Sequence, residues 1–293
     1  MSDLTFDFVM TQMTLGLVNG SFYALLSLGL CIIFGILDVV NFAHGAMYMM
    51  GAFIAWMLLH FLGLGYWWAL VVSPIVVGAL GAVLERTMFS RLYGSHHIFG
   101  FLLAFGLVLM IEAIFRVAFA GVGTPYAVPA ELRGVFDLGY MVLPVYRAWV
   151  LAVSAVVCIV TWLVIERTRL GSYLRAAIDK PELVAAFGVN VPRLITLTFA
   201  FGCALAALGG VLAAPISPVS PLMGQSIIVV IFAVVVIGGL GSIVGSVVGG
   251  YLLGMVEGLC KAVFPEGSYL SIFIIMMIVL MTTKSGIAGR KAI

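Results

Sequence analysis

The chain has 293 residues, of which 64% are hydrophobic and only 9% are charged, and its formal net charge is +2. A soluble domain of this size could not cover its surface with so few charges, so a soluble globular fold is excluded. Uncharged runs of about 20 residues, the length that a helix needs to cross a bilayer, recur along the whole chain. We predict an all-α polytopic membrane protein in which residues 1–293 form a single transmembrane domain.

Hydropathy predicts nine membrane-spanning segments. They cover residues 10–37, 42–62, 66–88, 98–120, 147–165, 194–214, 225–240, 242–262 and 269–283. Ten of the 14 Lys and Arg residues lie in 86–91, 166–193 and 284–291, and the positive-inside rule places these regions in the cytoplasm. Nine crossings put the N-terminus outside and the C-terminus in the cytoplasm, and eight crossings result if one segment dips without crossing.

The long loop at 121–147 is therefore predicted to be external. Short alternating stretches around Val135–Val145 indicate a small hairpin within it. This loop is either an ordered cap on the spans or a surface that meets an external partner.

Two interruptions of the apolar sequence, at 38–45 and 215–226, are predicted to break or re-enter the membrane. The first contains Asp38, and the second has three prolines in seven residues, which cannot continue a helix. Polar backbone at membrane depth is stable only where protein or a water-filled cavity satisfies it, and many transporters build substrate paths from such broken helices. Each interruption is either a plain turn or part of a translocation path. The path candidates are Asn41, His44, Gly45, Ser217, Gln225 and Ser226.

Small residues and paired charges indicate how the spans pack. Glycines at helical spacing allow helix backbones to approach closely, and the packing candidates are Gly238, Gly239, Gly241, Gly245 and Gly249. Glu112 with Arg116, and Glu257 with Lys261, are spaced i,i+4. We predict neutralised structural pairs, with proton relays as the alternative.

Sequence motifs for an enzyme are missing. No Gly-Lys-Ser/Thr follows the glycine run, as a phosphate-binding loop requires, and neither His-Glu-x-x-His nor Gly-x-Ser-x-Gly occurs. The four cysteines lie in apolar runs without metal-ligand spacing and are expected to be buried. We expect no catalytic residue, no metal site and no cofactor bound by the chain itself.

The charged connector at 166–193 is predicted to contain two short helices. For the second helix, Asp179 and Glu182 resemble a capping box, Pro181 suits the first turn, and Gly188 suits the C-terminal end. Its apolar face makes it either a docking element for a cytoplasmic partner or a helix that lies on the membrane surface.

Several segments resemble the branched-chain amino-acid ABC-transporter permeases. The connector and the next span read RTRLGSYLRAAIDKPELVAAFGVNVPRLITLTFAFGCALAALGGVL, and they are similar to the corresponding part of that family. The run NFAHGAMYMMGAF at 41–53 is similar to the Asn-Phe-Ala-His-Gly signature of the shorter of its two permease types. GLVNGSFYALLSLGLCIIFGI at 16–36 and GGLGSIVGSVVGG at 238–250 also fit, so the resemblance covers nearly the whole chain.

The resemblance implies a permease subunit of an ATP-driven importer in the bacterial inner membrane, working by alternating access, with a possible inverted repeat. The implied partners are a homologous second permease, two cytoplasmic ATPases that bind ATP and magnesium, an external solute-binding protein and membrane lipid, with no nucleic acid. The connector would be the cytoplasmic coupling segment. The residues expected to couple to the ATPase are Arg175, Asp179, Pro181, Glu182, Ala185, Phe187 and Gly188.

Two departures from the family pattern concern the cargo. The run at 230–232 is Val-Ile-Phe where Lys-Ala-Phe is frequent, and Val244 stands where proline is usual. The cargo therefore stays open among branched-chain and other amino acids, urea, amides and small carboxylates. A stand-alone channel or secondary transporter is the alternative function, and a membrane scaffold without solute flux is a third.

Overall fold

The computed structural model describes residues 5–37, 41–119, 123–283 and 286–288, except for the side chains of Ile36, Leu37, Ile178 and Asp179. Most of the described residues lie in α-helices. The helices are α1 (Phe6–Leu37), α2 (Ala43–Leu62), α3 (Tyr66–Thr87), α4 (His97–Ala118), α5 (Val145–Arg167), α6 (Arg169–Asp179), α7 (Pro181–Ala186), α8 (Val191–Ala213), α9 (Met223–Gly238), α10 (Ile243–Val263) and α11 (Ser268–Thr282).

Eight helices in the described part of the chain are long and apolar enough to cross a membrane. The all-α polytopic class is therefore confirmed. The predicted segment at 225–240 corresponds to α9, whose 16 residues fall short of the roughly 20 that a span needs. Asp38, Lys284, Arg290 and Lys291 lie outside the described residues, and the orientation of the termini stays a prediction.

The chain divides into two compact units. One comprises residues 1–28, 128–158 and 229–293, and the other comprises residues 29–127 and 159–228. The boundaries between the units fall within α1, α5 and α9. The inverted repeat stays a prediction.

The first unit is held together where α1 packs closely on α10. A Cβ atom at Gly254 would overlap the backbone of Gly20, so these two helices approach backbone to backbone. Tyr23 of α1 donates a hydrogen bond of 2.6 Å to the buried Glu257 of α10, and Lys261 lies 2.5 Å from the other carboxylate oxygen. The predicted Glu257–Lys261 pair is confirmed, and the tyrosine completes its hydrogen bonding.

The predicted hairpin is also present in this unit. Strand β1 (Val135–Asp137) pairs with β2 (Val142–Pro144) in antiparallel register, with Phe136 opposite Leu143. Gly139 has a φ of 82° in the connecting turn, a conformation that suits glycine. The alternating pattern around Val135–Val145 therefore predicted a real pair of strands.

The second unit is built around α2, α3 and α8. A Cβ atom at Gly51 of α2 would overlap the backbone of Ala207 in α8, and one at Gly210 of α8 would overlap the backbone of Tyr48. Gly81 of α3 packs on the side chain of Cys203. Small residues on facing helices thus replace the larger side chains of a soluble core.

Three of the four cysteines conform to the expectation of small buried side chains, whereas Cys260 is only half-buried. All four are free thiols, and three of them, at 31, 158 and 203, are fully buried. In the described ranges, no group of three or more His, Cys, Asp or Glu side chains is placed to hold a metal ion.

Candidate translocation site and coupling segment

The two predicted interruptions meet at the starts of α2 and α9. A Cβ atom at Gly45 would lie 2.6 Å from the carbonyl oxygen of Gly224, and one at Gly224 would overlap the carbonyl of Gly45. Both glycines stand in the first turn of their helices. The first turns of the two helices therefore pack backbone to backbone, which only glycine allows at both positions.

Asn41 closes the first interruption. Its side-chain Oδ1 accepts a hydrogen bond of 3.1 Å from the backbone N–H of Ala43, and its backbone carbonyl accepts one of 3.1 Å from the N–H of His44. The side chain is buried, and its Nδ2 has no hydrogen-bond partner among the described residues. Asn41 thus accepts hydrogen bonds from the first N–H groups of α2, and its own Nδ2 remains a buried donor.

The side chain of His44 is packed within the protein. It is fully buried, and a Cβ atom at Gly29 of α1 would lie 2.9 Å from its Cε1 and 2.9 Å from the carbonyl of Gly202 in α8. The imidazole ring therefore occupies the space that a side chain at position 29 would need. This is the environment of a structural histidine at a helix end.

The second interruption lies between the end of α8 at Ala213 and the start of α9 at Met223. Ser217 is exposed, and its backbone N–H donates to the carbonyl of Ala213 over 3.0 Å. Val219 forms an isolated antiparallel bridge with Thr124. Ser226 donates its hydroxyl to the carbonyl of Met223 over 2.9 Å. Ser217 is not among the described residues that form the Gly45–Gly224 contact, whereas Ser226 belongs to the same turn as Gly224.

Gln225 contacts Glu112, a residue that the sequence did not assign to the translocation path. Its Nε2 donates a hydrogen bond of 2.5 Å to Oε2 of Glu112 in α4. The Glu112 carboxylate is buried, and its Oε1 has no hydrogen-bond partner in the described ranges. Arg116 is exposed and acts on Glu112 only through its charge. The predicted Glu112–Arg116 pair therefore needs correction, because the direct partner of the acid is Gln225.

The arrangement places complementary polar groups beside one another. The N-terminal ends of α2 and α9 carry the positive end of each helix dipole, although the chain itself accepts hydrogen bonds from most of their first N–H groups. A buried carboxylate with one free oxygen is bonded to the first turn of α9. Such a group is costly within a membrane and is a functional candidate for that reason.

The connector forms the two predicted helices, α6 and α7, and Arg175 fastens the first of them. Its Nη1 donates 2.7 Å to the carbonyl of Ile165 and lies 3.2 Å from Glu166 at the end of α5. A Cβ atom at Gly171 would overlap the backbone of Ile165. Arg175 therefore anchors α6 on α5, and its guanidinium is engaged within the chain.

The second connector helix presents an apolar surface. Pro181 is the first residue of α7, Glu182 lies in the first turn, and Gly188 follows the helix with a φ of 84°. Val184 is buried, whereas Leu183 is 54% exposed and Phe187 is 87% exposed. Ala185 is exposed between them.

One detail of the capping prediction is wrong. Lys180, and not Asp179, occupies the N-cap position of α7, and the helix has no side-chain cap. Asp179 is the last residue of α6, and its side chain lies outside the described atoms. The fixed φ of Pro181 is sufficient to start the helix at that point.

The glycines between positions 238 and 249 have two roles, which are close helix packing and formation of a turn. Gly238 and Gly245 are in backbone contact, and a Cβ atom at Gly249 would lie 3.5 Å from Cα of Gly238. Gly239 and Gly241 have φ values of 103° and 79° and form the turn between α9 and α10.

Residues 12–282 match the family model described as the permease component of the branched-chain amino acid transport system. The chain belongs to this family. It is 29% identical to the high-affinity branched-chain amino acid transport system permease protein LivH of Escherichia coli (strain K12), with 98% of each chain covered. It is 32% identical to the corresponding permease BraD of Pseudomonas aeruginosa over 96% of each chain.

A probable branched-chain amino acid transport permease LivH of Methanocaldococcus jannaschii is 27% identical over 93% of this chain and 90% of its own. No solved structure matches the chain. The chain is thus a multi-pass membrane protein and a permease component of a transport system, as the resemblance in the sequence implied.

The contact between Gln225 and Glu112 is the part of the site that sequence reasoning missed. A single acid within the apolar run of α4 was the available signal, and its i,i+4 arginine gave it a simpler explanation. The partner lies 113 residues away, beyond any local pattern.

Proposed function

We propose that the chain is one of two membrane subunits of an ATP-driven importer and forms half of its translocation path. The family match over residues 12–282 carries this proposal. Branched-chain amino acids are the first cargo to test, because the relatives that align over 96–98% of their length are named for the transport of these amino acids. Other amino acids, urea, amides and small carboxylates follow, because of Val244 and the Val-Ile-Phe run at 230–232.

The translocation path runs past the Gly45–Gly224 contact. An amino acid carries a carboxylate and an ammonium group, and the helix N-termini at α2 and α9 suit the first of these charges. The Glu112 carboxylate, bonded to Gln225 and with a free Oε1, suits the second. Asn41 Nδ2 is a further buried donor at the same helix start. Ser226 belongs to this group by its position in α9, and Ser217 lies at its margin.

Coupling to the ATPase takes place through α7. Phe187 and Leu183 expose large apolar side chains next to charged residues, as the anchor of a protein–protein interface does. Arg175 contributes by holding α6 on α5, so that a force on α7 reaches a membrane-spanning helix. In this proposal the connector is cytoplasmic, the partner ATPases bind ATP and magnesium, and an external protein delivers the solute.

A pull-down of the tagged full-length chain in mild detergent, with mass spectrometry of the bound proteins, tests the assembly. We expect a second permease and one or two ATPases to be recovered. A chain that is recovered alone, yet conducts solute in vesicles without ATP, would favour the stand-alone channel or secondary transporter. A chain that is recovered alone and carries no flux would favour a scaffold.

A further inference from the structure

A surface cavity of about 320 Å³ lies at the end of two helices of the second unit, α3 and α8. Its position is set by the last turn of α3, which ends at Thr87, and the first turn of α8, which begins at Val191. It is separate from the Gly45–Gly224 contact and from the exposed face of α7. The lining residues are Ala82, Val83, Arg86, Arg193, Thr196 and Leu197.

The cavity has an apolar wall and a cationic end. Val83 is 57% exposed and Leu197 is 68% exposed, and both belong to helices long enough to cross the membrane. Arg86 and Arg193 stand at the polar ends of the same helices. Long basic side chains at helix ends keep their charge at the interface while their methylene groups lie along apolar surface.

Neither arginine has a carboxylate partner in the part of the chain that the structure describes. Among the described residues, no ion pair or hydrogen bond involves the guanidinium of Arg86 or Arg193. Arg193 stands in the first turn of α8, where the helix dipole disfavours a positive charge. Its backbone N–H donates to Oδ1 of Asn190 over 3.0 Å, and its own side chain carries only donors and so cannot cap the helix start. An external anion bound near these guanidinium groups would offset their positive charge.

One buried carboxylate is bonded to a residue that lines the cavity, and both of its oxygens are already occupied. Thr196, which lines the cavity, donates its hydroxyl to Oε2 of Glu85 over 2.6 Å, and Tyr93 donates to Oε1 over 2.5 Å. Glu85 is almost fully buried. Because both of its oxygens are bonded to hydroxyls, this carboxylate does not pair with the arginines, and their guanidinium groups stay available.

We propose that this cavity binds an anionic phospholipid. The phosphate lies between the guanidinium groups of Arg86 and Arg193, which form charge-assisted hydrogen bonds with it. One acyl chain lies along Val83 and Leu197. Basic pockets between membrane helices are suited to acidic lipid headgroups, and an apolar wall beside two cations fits a lipid better than a free anion.

The test uses the purified full-length chain in mild detergent. Native mass spectrometry and thermal unfolding are followed while dioleoylphosphatidylglycerol, dioleoylphosphatidylcholine or inorganic phosphate is added. We expect bound phosphatidylglycerol and a higher unfolding temperature with that lipid alone. The variant Arg86→Gln/Arg193→Gln should bind phosphatidylglycerol about tenfold more weakly, because both cationic contacts are lost.

Two further variants separate the specific site from general effects. Arg133→Gln/Arg169→Gln removes the same charge from exposed positions outside the cavity and should bind as the wild type does. Arg86→Lys/Arg193→Lys keeps the charge and should retain most of the binding. If the glutamine variant does not fold, the lysine variant and Leu197→Ser still test the site, since Leu197→Ser should weaken binding of the lipid without altering any charge.

Four outcomes would overturn the proposal. Equal binding of phosphatidylcholine would remove the role of the charge, and an equal effect of inorganic phosphate would assign the arginines to a free anion. Equal weakening in the Arg133/Arg169 control would indicate unspecific attraction. A glutamine variant that keeps its phosphatidylglycerol but loses an ATPase in the pull-down would assign the cavity to a protein contact.

Discussion

The side-chain amide of Gln225 donates a hydrogen bond of 2.5 Å to the buried carboxylate of Glu112. This bond joins the start of the short helix α9 to the middle of α4. It also leaves Oε1 of Glu112 buried without a partner in the described part of the chain. A buried acid held by a neutral amide keeps capacity to bind a cation, which an acid in a closed ion pair does not.

Replacement of this acid should therefore impair transport. We expect Glu112→Gln to lower leucine uptake by about tenfold or more, because a charge-assisted contact to the ammonium group is lost. The control is Arg116→Gln, whose exposed guanidinium makes no direct contact with the acid, and it should stay within about twofold of the wild type. Uptake of radiolabelled leucine by cells that express the whole importer measures both. Equal losses in the two variants would mean that the Glu112–Arg116 charge pair matters and the Gln225 contact does not.

The Gly45–Gly224 contact should be intolerant of a single added methyl group. Gly224→Ala places a Cβ atom against the carbonyl of Gly45, and overpacking of this kind costs about 1–3 kcal/mol in the free energy of unfolding. Gly106→Ala is the matched control, because Gly106 lies within α4 with no atom near its Cβ position. Its stability should be unchanged or raised by up to about 1 kcal/mol. Thermal unfolding in detergent compares them, and an unchanged Gly224→Ala would show that the helices can separate freely there.

Arg175 should hold α6 in place. Arg175→Gln removes the donors to the Ile165 carbonyl, a loss of roughly 1 kcal/mol that corresponds to about fivefold faster local amide exchange. Arg169→Gln changes an exposed arginine on the same helix and should leave exchange unaltered. Hydrogen exchange with mass spectrometry over residues 166–179 measures the difference. Wild-type protection in Arg175→Gln would mean that Arg175 does not hold α6 on α5 and does not transmit force from α7 to α5.

The Tyr93–Glu85 contact predicts a loss of stability at high pH. Burial, together with the hydrogen bond to Glu85 and its charge, raises the pKa of Tyr93 above the ordinary value of about 10. Because the folded protein then holds this proton more tightly than the unfolded chain, the stabilisation is complete below pH 10 and declines as the pH rises further. Tyr93→Phe should reduce the drop in unfolding temperature between pH 9 and 11. An identical drop in both proteins would contradict the raised pKa.

Much of the fold could be predicted from the sequence because its signals are local. Apolar runs near 20 residues predicted the spans, and alternation around Val135–Val145 predicted the β1–β2 hairpin. The small residues at 238–249 predicted close packing, although two of them, Gly239 and Gly241, serve as turn residues instead. Periodicity alone does not separate these uses, because both require a missing side chain.

The candidate site was less predictable because its contacts are distant in sequence. Asn41, Gly45, Gln225 and Ser226 were predicted from the interruptions, but Glu112 joins them through a contact that crosses more than a hundred residues. The N-cap of α7 was misplaced by one residue, since Pro181 fixes the helix start regardless of a capping side chain. Local patterns report turns and helix ends, whereas the partner of a buried acid depends on which helices pack together.

The most direct test of ATP-driven transport coupled through α7 is a comparison of two exposed phenylalanines. Phe187 is 87% exposed on the connector, and Phe6 is 73% exposed at the start of α1. The measurement is ATP-dependent uptake of leucine into proteoliposomes that contain the assembled importer. Phe187→Ala should reduce uptake by about tenfold or more, as truncation of an aromatic interface anchor does, while Phe6→Ala transports as the wild type. Wild-type uptake in Phe187→Ala, or uptake that continues without ATP, would contradict the account.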